Sequence, residues 1–385
     1  MKKRKIAVVT TSRADYGLLK PLLAALSRDR RAAVSILCSG THLSKAFGET
    51  FREIQADGFP IDERIPLYLG GDRPQDLTRA LADAVSGFAR AYSRRRPDLI
   101  VILGDRYEIL GAAAAALPFG IPIAHLHGGE ATEGALDEQV RHAVTKLSHL
   151  HFPAAPEYRR RILALGEEPR RVFCFGAPGL DGLSKLELLG GAALRREVGA
   201  PLDARLGVIA YHPVTLEPAA SAAQCRMVLA AAAKHPDIFW ILTLPNSDTG
   251  NARIARQLKA FARGGRGAVF ASLGRVRFLS ALKEAEVLMG NSSSGIIEAP
   301  SFGLPVVNVG RRQAGRVRAV NVIDVERPTP AGVVRALGRA LSPGFRKTAR
   351  KARNPYAGRD TCQKIAAVLL GVPLDRALIE KKIAL

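Results

Sequence analysis

Histidines and carboxylates gather in short polar stretches that each follow an apolar run. After the run at 99–104 stand Asp105, Arg106 and Glu108. After the run at 121–126 come His127, Gly128, Gly129 and Glu130, and then Asp137, Glu138, Arg141 and His142. Side chains of these types can take and return protons. Asp105 ends a strongly apolar run, so it is either a chemical group or the ion-pair partner of Arg106 or Arg141. His127 and Glu130 flank a Gly-Gly turn, which lets the backbone approach a ligand closely. Asp137 stands where a helix should begin, so it is a chemical group or an N-cap. His212, in Tyr211-His212-Pro213, is a further candidate. His149 and His151 read as structural. No HExxH or comparable spacing occurs among the histidines, and no metal is expected.

Anion binding is the second chemistry on offer. Gly290-Asn291-Ser292-Ser293-Ser294-Gly295 leads into a helical stretch that holds Glu298. Small residues at a helix start present backbone N–H groups and hydroxyls to an anion, and the helix dipole favours negative charge there. A diphosphate fits Ser292, Ser293, Ser294 and Gly295, and Glu298, about one turn in, suits ribose hydroxyls. A serine-rich N-cap with a first-turn acid is the plain alternative. Arg13, after the first apolar run, could reach the same phosphates or lie on the surface. Asp15, His42, Arg106, Asn246, Asp248 and Arg312 follow other apolar runs and complete the expected substrate and nucleotide contacts.

Parallel strands are the elements able to place these groups. Apolar runs at 6–11, 34–39, 99–104 and 121–126 form one series, and runs at 206–211, 238–244, 268–272, 287–290 and 305–309 a second. Helical stretches are expected at 17–27, 75–95, 107–117, 137–147 and 219–234. Continuous apolar runs alternating with helices indicate parallel sheets covered on both faces. The expected architecture is α/β with two Rossmann-like domains, whose ligands bind beyond the carboxyl ends of the strands. A turn-rich stretch, Gly176-Ala177-Pro178-Gly179, reads as the hinge. The expected division is 1–177, 178–365 and a C-terminal helix at 366–385.

A chain of 385 residues suits two such domains, and hydrophobic residues at 47% fit real cores. No apolar run reaches the ~18 residues of a membrane span. The start, Lys2-Lys3-Arg4-Lys5 and then 6–9, reads as a first strand rather than a leader. Four dispersed cysteines suggest a reducing cytoplasm. The net charge of +22 could answer to nucleic acid, a membrane or an anionic small molecule. Its arginines lie in short scattered groups, and aromatics are only 6%, so neither nucleic acid nor membrane is expected as a partner.

Taken in order, Thr11-Ser-Arg-Ala-Asp-Tyr-Gly17, Gly104-Asp-Arg-Tyr-Glu108, His125-Leu-His-Gly-Gly-Glu130, Arg141-His-Ala-Val-Thr-Lys146, Gly290-Asn-Ser-Ser-Ser-Gly295 and Gly315-Arg-Val-Arg318 resemble the hydrolysing UDP-N-acetylglucosamine 2-epimerases of nonulosonic (sialic-type) acid synthesis. The resemblance runs over roughly residues 5 to 360. It implies a glycosyltransferase-B type fold with the active site in the interdomain cleft, a final helix returning to the first domain, a homodimer and no cofactor. It assigns Arg13 to the nucleotide, Asp105 and Asp137 to acid/base chemistry, His212 to the diphosphate, and Ser292, Ser293 and Glu298 to phosphate and ribose. Many relatives have Glu where this chain has His127. The second acid/base group is therefore either His127 or Glu130.

The implied reaction starts from UDP-N-acetylglucosamine or a close 2-acetamido nucleotide-sugar, including a 2,4-diacetamido-trideoxy one. No carbonyl acidifies C2, so a simple proton swap is excluded. A base takes the C2 proton as UDP leaves C1, water adds at C1, and a proton returns to C2 on the other face. The competing expectations are a non-hydrolysing epimerase, against which the Ser-Arg-Ala-Asp-Tyr-Gly loop argues, a glycosyltransferase of the same fold, and a basic non-catalytic binding protein.

Overall fold

The computed structural model describes residues 3–71, 73–132, 136–214, 218–245 and 250–384. Twelve strands are seen among them. The first six are β1 (Arg4–Thr10), β2 (Ala32–Ser39), β3 (Glu63–Ile65), β4 (Leu99–Leu103), β5 (Ile123–Leu126) and β6 (Leu150–Phe152). The second six are β7 (Arg205–Ala210), β8 (Ile238–Thr243), β9 (Gly267–Phe270), β10 (Val287–Gly290), β11 (Val306–Val309) and β12 (Val322–Val325). They form two sheets, β3-β2-β1-β4-β5-β6 and β12-β11-β10-β7-β8-β9, with parallel pairing throughout. Read from its other end, the second order repeats the first. Each half is a Rossmann-like domain, as the alternating runs predict. Each order reverses once, between β1 and β4 and between β7 and β10, and ligands in such sheets bind beyond the strand ends at that reversal.

The helices that matter to the first sheet are α1 (Arg13–Arg28), α2 (Phe51–Ala56), α3 (Pro74–Arg95), α4 (Tyr107–Ala116), α5 (Leu136–Leu147) and α6 (Pro156–Ala164). Side chains of β1 alternate between two cores, as a strand requires. Ile6 and Val8 face Leu19, Leu22 and Leu23 of α1, and Ala7 and Val9 belong with Phe88, Ile109 and Val144 of α3, α4 and α5. The second sheet has its own core around Trp240, Tyr211 and Met289. Three strands escape the apolar-run reading: β3, β6 and β12. Each is an edge strand of three or four residues, too short to show a period.

The chain divides into two compact units, Met1–Glu130 with Asp137–Ser184 and Tyr356–Leu385, and Ala131–Leu136 with Lys185–Pro355. The turn expected to act as the hinge lies inside the first unit. There the Ala177 amide donates to the Tyr356 carbonyl at 2.8 Å, and Gly179 lies against Leu18. The helix that packs on the first core is Thr361–Gly371, whose Cys362, Ile365, Ala366, Leu369 and Leu370 join the α1 cluster. A boundary at 365 would cut through it. Among the described residues no helix is long and apolar enough to cross a membrane.

Two buried histidines brace β5. His125 donates from Nε2 to the Gly104 carbonyl at 2.8 Å, and burial lowers its pKa to about 3. His149 accepts the Ile123 amide on Nδ1 at 3.1 Å, and burial lowers its pKa to about 4. Both imidazoles stay neutral in the folded chain while the unfolded chain protonates near 6.5. The folded state therefore binds fewer protons below that pH. This contribution is complete above 6.5 and is lost as pH falls toward 3 to 4. Urea unfolding midpoints should drop progressively from pH 7 to pH 5, by roughly 1.4 kcal/mol per pH unit for each proton taken up. A flat profile over that range would mean that the two imidazoles titrate alike in the folded and the unfolded chain.

Candidate active site

The loop after β1 is held by its own aspartate. Asp15 accepts from Thr10 Oγ1 at 2.5 Å, the Thr11 amide at 2.9 Å, Thr11 Oγ1 at 2.8 Å and the Ser12 amide at 3.0 Å. Burial opposes its charge, but these donors and His42 hold its pKa below the ordinary carboxylate range. A carboxylate has about four acceptor sites, so Asp15 spends them on the capping box that starts α1. His42 is fully buried, with its ring nitrogens against Thr10 Oγ1 at 2.9 Å and Thr50 Oγ1 at 2.8 Å. Asp15 and His42 thus shape the loop that leads into Arg13. Arg13 is the first residue of α1 and half-buried; burial lowers its pKa, against the pull of Glu53.

At the ends of β4 and β5 the carboxylates and histidine converge on one cation. Arg141, in the second turn of α5, is about 1% exposed. Its Nη1 donates to the His127 carbonyl at 2.8 Å and lies 3.8 Å from Glu130 Oε2, and its Nη2 pairs with Asp105 Oδ2. Asp105 therefore has Arg141 as an ion-pair partner, one of the two alternatives the sequence offers. Arg106 pairs with the fully buried Glu108 at 3.0 Å. His127 Nδ1 lies 2.5 Å from Glu130 Oε1, with both side chains buried. His127 also adopts a left-handed backbone, φ +61, which costs a non-glycine residue about 1–2 kcal/mol. Two glycines make the turn possible. A Cβ on Gly128 would sit 2.9 Å from His125 Nδ1, and one on Gly129, φ +75, would sit 2.6 Å from the Tyr158 carbonyl.

Asp137 is the second residue of α5, which begins at Leu136, so it lies within the first turn, not at the cap. It precedes Arg141 by four residues and shares its helix face. The arrangement joins Asp105, His127 and Glu130 through Arg141 and sets Asp137 one turn away. Among the described residues no group of three His, Cys, Asp or Glu could hold a metal ion.

In the second unit the joined strand ends are those of β7 and β10. The Asn291 side chain accepts the His212 amide at 2.7 Å and donates to its carbonyl at 2.8 Å. The Asn291 carbonyl accepts from Gln313 Nε2 at 2.8 Å and Arg312 Nη1 at 3.2 Å. Ser294 donates to Ser292 Oγ at 2.9 Å, and Ser293 makes no side-chain capping bond. The α-helix after the serines is only Ser294–Ile297. Pro300 cannot donate an amide and crowds the preceding turn, so a tighter helix Ala299–Phe302 follows. Glu298 is consequently the residue closing a single turn and does not stand inside a longer helix. Gly295 fits because a Cβ there would meet Leu288 and Val306 at 2.9 Å. Asn246 and Asp248 lie outside the described residues.

The family described as UDP-N-acetylglucosamine 2-epimerase matches residues 24–370 of this chain. A UDP-N,N'-diacetylbacillosamine 2-epimerase (hydrolyzing) of Legionella pneumophila is 37% identical over 378 residues, 98% of each chain. A GDP/UDP-N,N'-diacetylbacillosamine 2-epimerase (hydrolyzing) of Campylobacter jejuni is 38% identical over 328 residues, 85% of each. The chain belongs to the UDP-N-acetylglucosamine 2-epimerase family. Its fold matches the crystal structure of UDP-GlcNAc 2-epimerase from Neisseria meningitidis bound to UDP-GlcNAc, with a TM-score of 0.80 at 16% identity, over 96% of this chain and 100% of that one.

In this epimerase-family chain the two residues that organise the strand ends are not among the site residues expected from sequence. Arg141 was visible only as a salt-bridge option for Asp105. Its separation of four from Asp137 gave a signal that both lie on one helix face. Asn291 sits inside the serine motif, but nothing local shows that its amide bridges to β7. Replacing Arg141 with Met leaves Asp105 and Glu130 without their shared cation. Removing one partner of a buried pair costs about 3–5 kcal/mol, so Arg141→Met should lower urea-unfolding stability by that amount at pH 7. A loss near zero would show that the carboxylates are solvated well enough to stand without it.

Proposed function

We propose that this chain is a hydrolysing 2-epimerase of a UDP-linked 2,4-diacetamido-2,4,6-trideoxy sugar, UDP-N,N'-diacetylbacillosamine, and supplies a nonulosonic acid synthesis. The observation that carries the reading is the similarity, over 98% of both chains, to a relative named for that hydrolysing reaction. The strand-end carboxylates and imidazole of the first unit supply the acid/base groups it needs. A base takes the C2 proton, the C1–O bond breaks with its electron pair leaving on UDP, and a C1=C2 double bond forms. Water then gives its hydroxyl to C1, and C2 receives a proton on the opposite face. The products are UDP and the free manno-configured sugar, and no cofactor enters the balance. Asp105, Asp137, and either His127 or Glu130 exchange the protons. Arg13, His212, Ser293 and Glu298 hold the nucleotide and its diphosphate, whose growing charge is met by preorganised donors. A second reading keeps the chemistry and takes UDP-N-acetylglucosamine; the matching family carries that name. A cytoplasmic setting is supported by four free cysteines, three of them buried, and a homodimer rests on the family resemblance.

Incubation with UDP-N,N'-diacetylbacillosamine, its GDP analogue and UDP-N-acetylglucosamine in deuterated water should release the nucleoside diphosphate most rapidly from the first, without added metal. The free sugar should carry one deuteron at C2. Protium retained at C2 would exclude the elimination route, and sugar transferred to an acceptor would indicate a glycosyltransferase. Asp105→Asn should slow turnover about 100-fold or more with UDP affinity near normal. Loss of UDP binding and early melting in that variant would mark the residue as structural.

Calorimetry tests the nucleotide contacts separately. Arg13→Ala and Ser293→Ala should each weaken UDP binding by about 1–3 kcal/mol, the range for a charge-assisted hydrogen bond. Unchanged affinity in both would move the nucleotide site elsewhere.

A further inference from the structure

The pair His127–Glu130 divides its labour in a way that the bonding pattern makes explicit. We infer that Nε2 of His127 is the atom that exchanges a proton with the substrate, and that Glu130 is a positioning residue acting through Nδ1. The inference rests on the epimerase reading and adds to it which member of the pair touches the sugar.

Glu130 Oε1 lies 2.5 Å from His127 Nδ1. An ionised carboxylate can only accept, so Nδ1 carries the hydrogen and the neutral ring keeps its lone pair on Nε2. That nitrogen is buried and has no hydrogen-bond partner among the described residues, in a side chain only 4% exposed. A buried polar atom without a partner is costly, and a ligand's reacting group is what would satisfy it. Glu130 is occupied differently. One oxygen holds the imidazole, and the other faces the Arg141 guanidinium at 3.8 Å.

The backbone also fixes the ring's root. The His127 amide donates to the Phe152 carbonyl at 3.1 Å, its carbonyl accepts from Arg141, and its φ is +61. A strained conformation held at two points is a feature of sites that need a group preset. Among the described residues, the charged and titratable groups that meet the pair include Glu130 in the turn, Arg141 of α5, which also holds Asp105 at the end of β4, and His125 on β5. From α6, Arg161 donates to the Gly129 carbonyl at 2.7 Å. His125 is held neutral by burial, so the negative charge nearest the ring is that of Glu130. A carboxylate in that place stabilises the imidazolium that forms when Nε2 takes a proton.

Two variants and one spectrum separate the roles. Glu130→Gln keeps an acceptor for Nδ1–H but removes the charge. His127→Asn removes the base with a residue that tolerates positive φ. Both are first checked for an unchanged melting temperature and UDP affinity, and His127→Gln replaces His127→Asn if that variant melts early. Histidine 15N NMR of the wild type should show His127 as the Nδ1–H tautomer. Glu130→Gln should keep measurable turnover while the acid limb of kcat/KM moves down by about 1–3 pH units, the usual effect of losing an adjacent opposite charge. His127→Asn should lose about 100-fold or more and the acid limb with it. An Nε2–H tautomer would overturn the assignment. So would a nearly full rate with the wild-type pH profile in His127→Asn, alongside an inactive Glu130→Gln. Wild-type protein that releases no UDP from any nucleotide-sugar overturns the epimerase reading instead, and the tautomer, read on the same sample, still decides the Glu130 contact.

Discussion

A guanidinium taken almost wholly out of water needs its charge met on the spot. Arg141 meets that need with Asp105, Glu130 and the His127 carbonyl. The constraint works in both directions. Desolvating an ion costs several kcal/mol, so the folded chain must bring the ends of β4 and β5 to the second turn of α5 before the arginine can be buried. In doing so it fixes the separation of the two carboxylates and the root of the imidazole. A hydrophobic residue of similar volume could fill the space without such demands. The ionic solution also orders the two carboxylates and the imidazole.

The second unit solves a related problem with a neutral group. Asn291 uses both ends of its amide on the His212 backbone, and so ties β10 to β7 at the reversal of strand order. Gly290, at φ +136, permits this because a Cβ there would collide with the Ala210 carbonyl. Each unit thus joins two strand ends by one side chain, and polar groups beyond the sheet become rigid without a long loop. A positive charge is the right device where carboxylates must stay ionised. An amide fixes the strand ends without adding a charge.

How much of this was legible in the sequence depended on whether a feature is local. Strands such as β1, β4 and β7 are continuous apolar runs because both faces of a parallel sheet are buried, and runs of that kind can be read directly. Edge strands β3, β6 and β12 are brief, and β3 is the charged Glu63-Arg64-Ile65, so no local pattern marks them. Asp105, His127 and Glu130 were readable because polar side chains right after a buried strand need a reason. Arg141 was readable only as a candidate partner of Asp105, and Asn291 only as part of the serine motif, since their partners lie 36 and 79 residues away in the chain. The roles of Asp15 and His42 depended on counting hydrogen bonds, which composition and spacing do not supply. At Gly176 to Gly179 a glycine-rich turn and a tight packing contact look alike in sequence, and the structure sets Gly179 against Leu18.

The net charge of +22 acts on a different length scale from the strand-end network. Within that network positive and negative groups nearly balance, as Arg141 with Asp105 and Glu130, and Arg106 with Glu108, show. Many exposed arginines pair locally, as Arg94 and Arg95 do with Glu63 and Arg160 does with Glu157, and exposed pairs of this kind contribute about 0–1 kcal/mol each. The excess therefore adds little to stability and, by self-repulsion, detracts from it. Its effect is on encounter. Fields from unpaired surface cations reach about 8 Å at physiological ionic strength, and a summed positive potential raises the local concentration of an anionic ligand and its association rate. Specificity cannot come from so diffuse a field. It needs groups whose hydrogen bonds are fixed beforehand, and Arg141 and Asn291 hold groups of that kind.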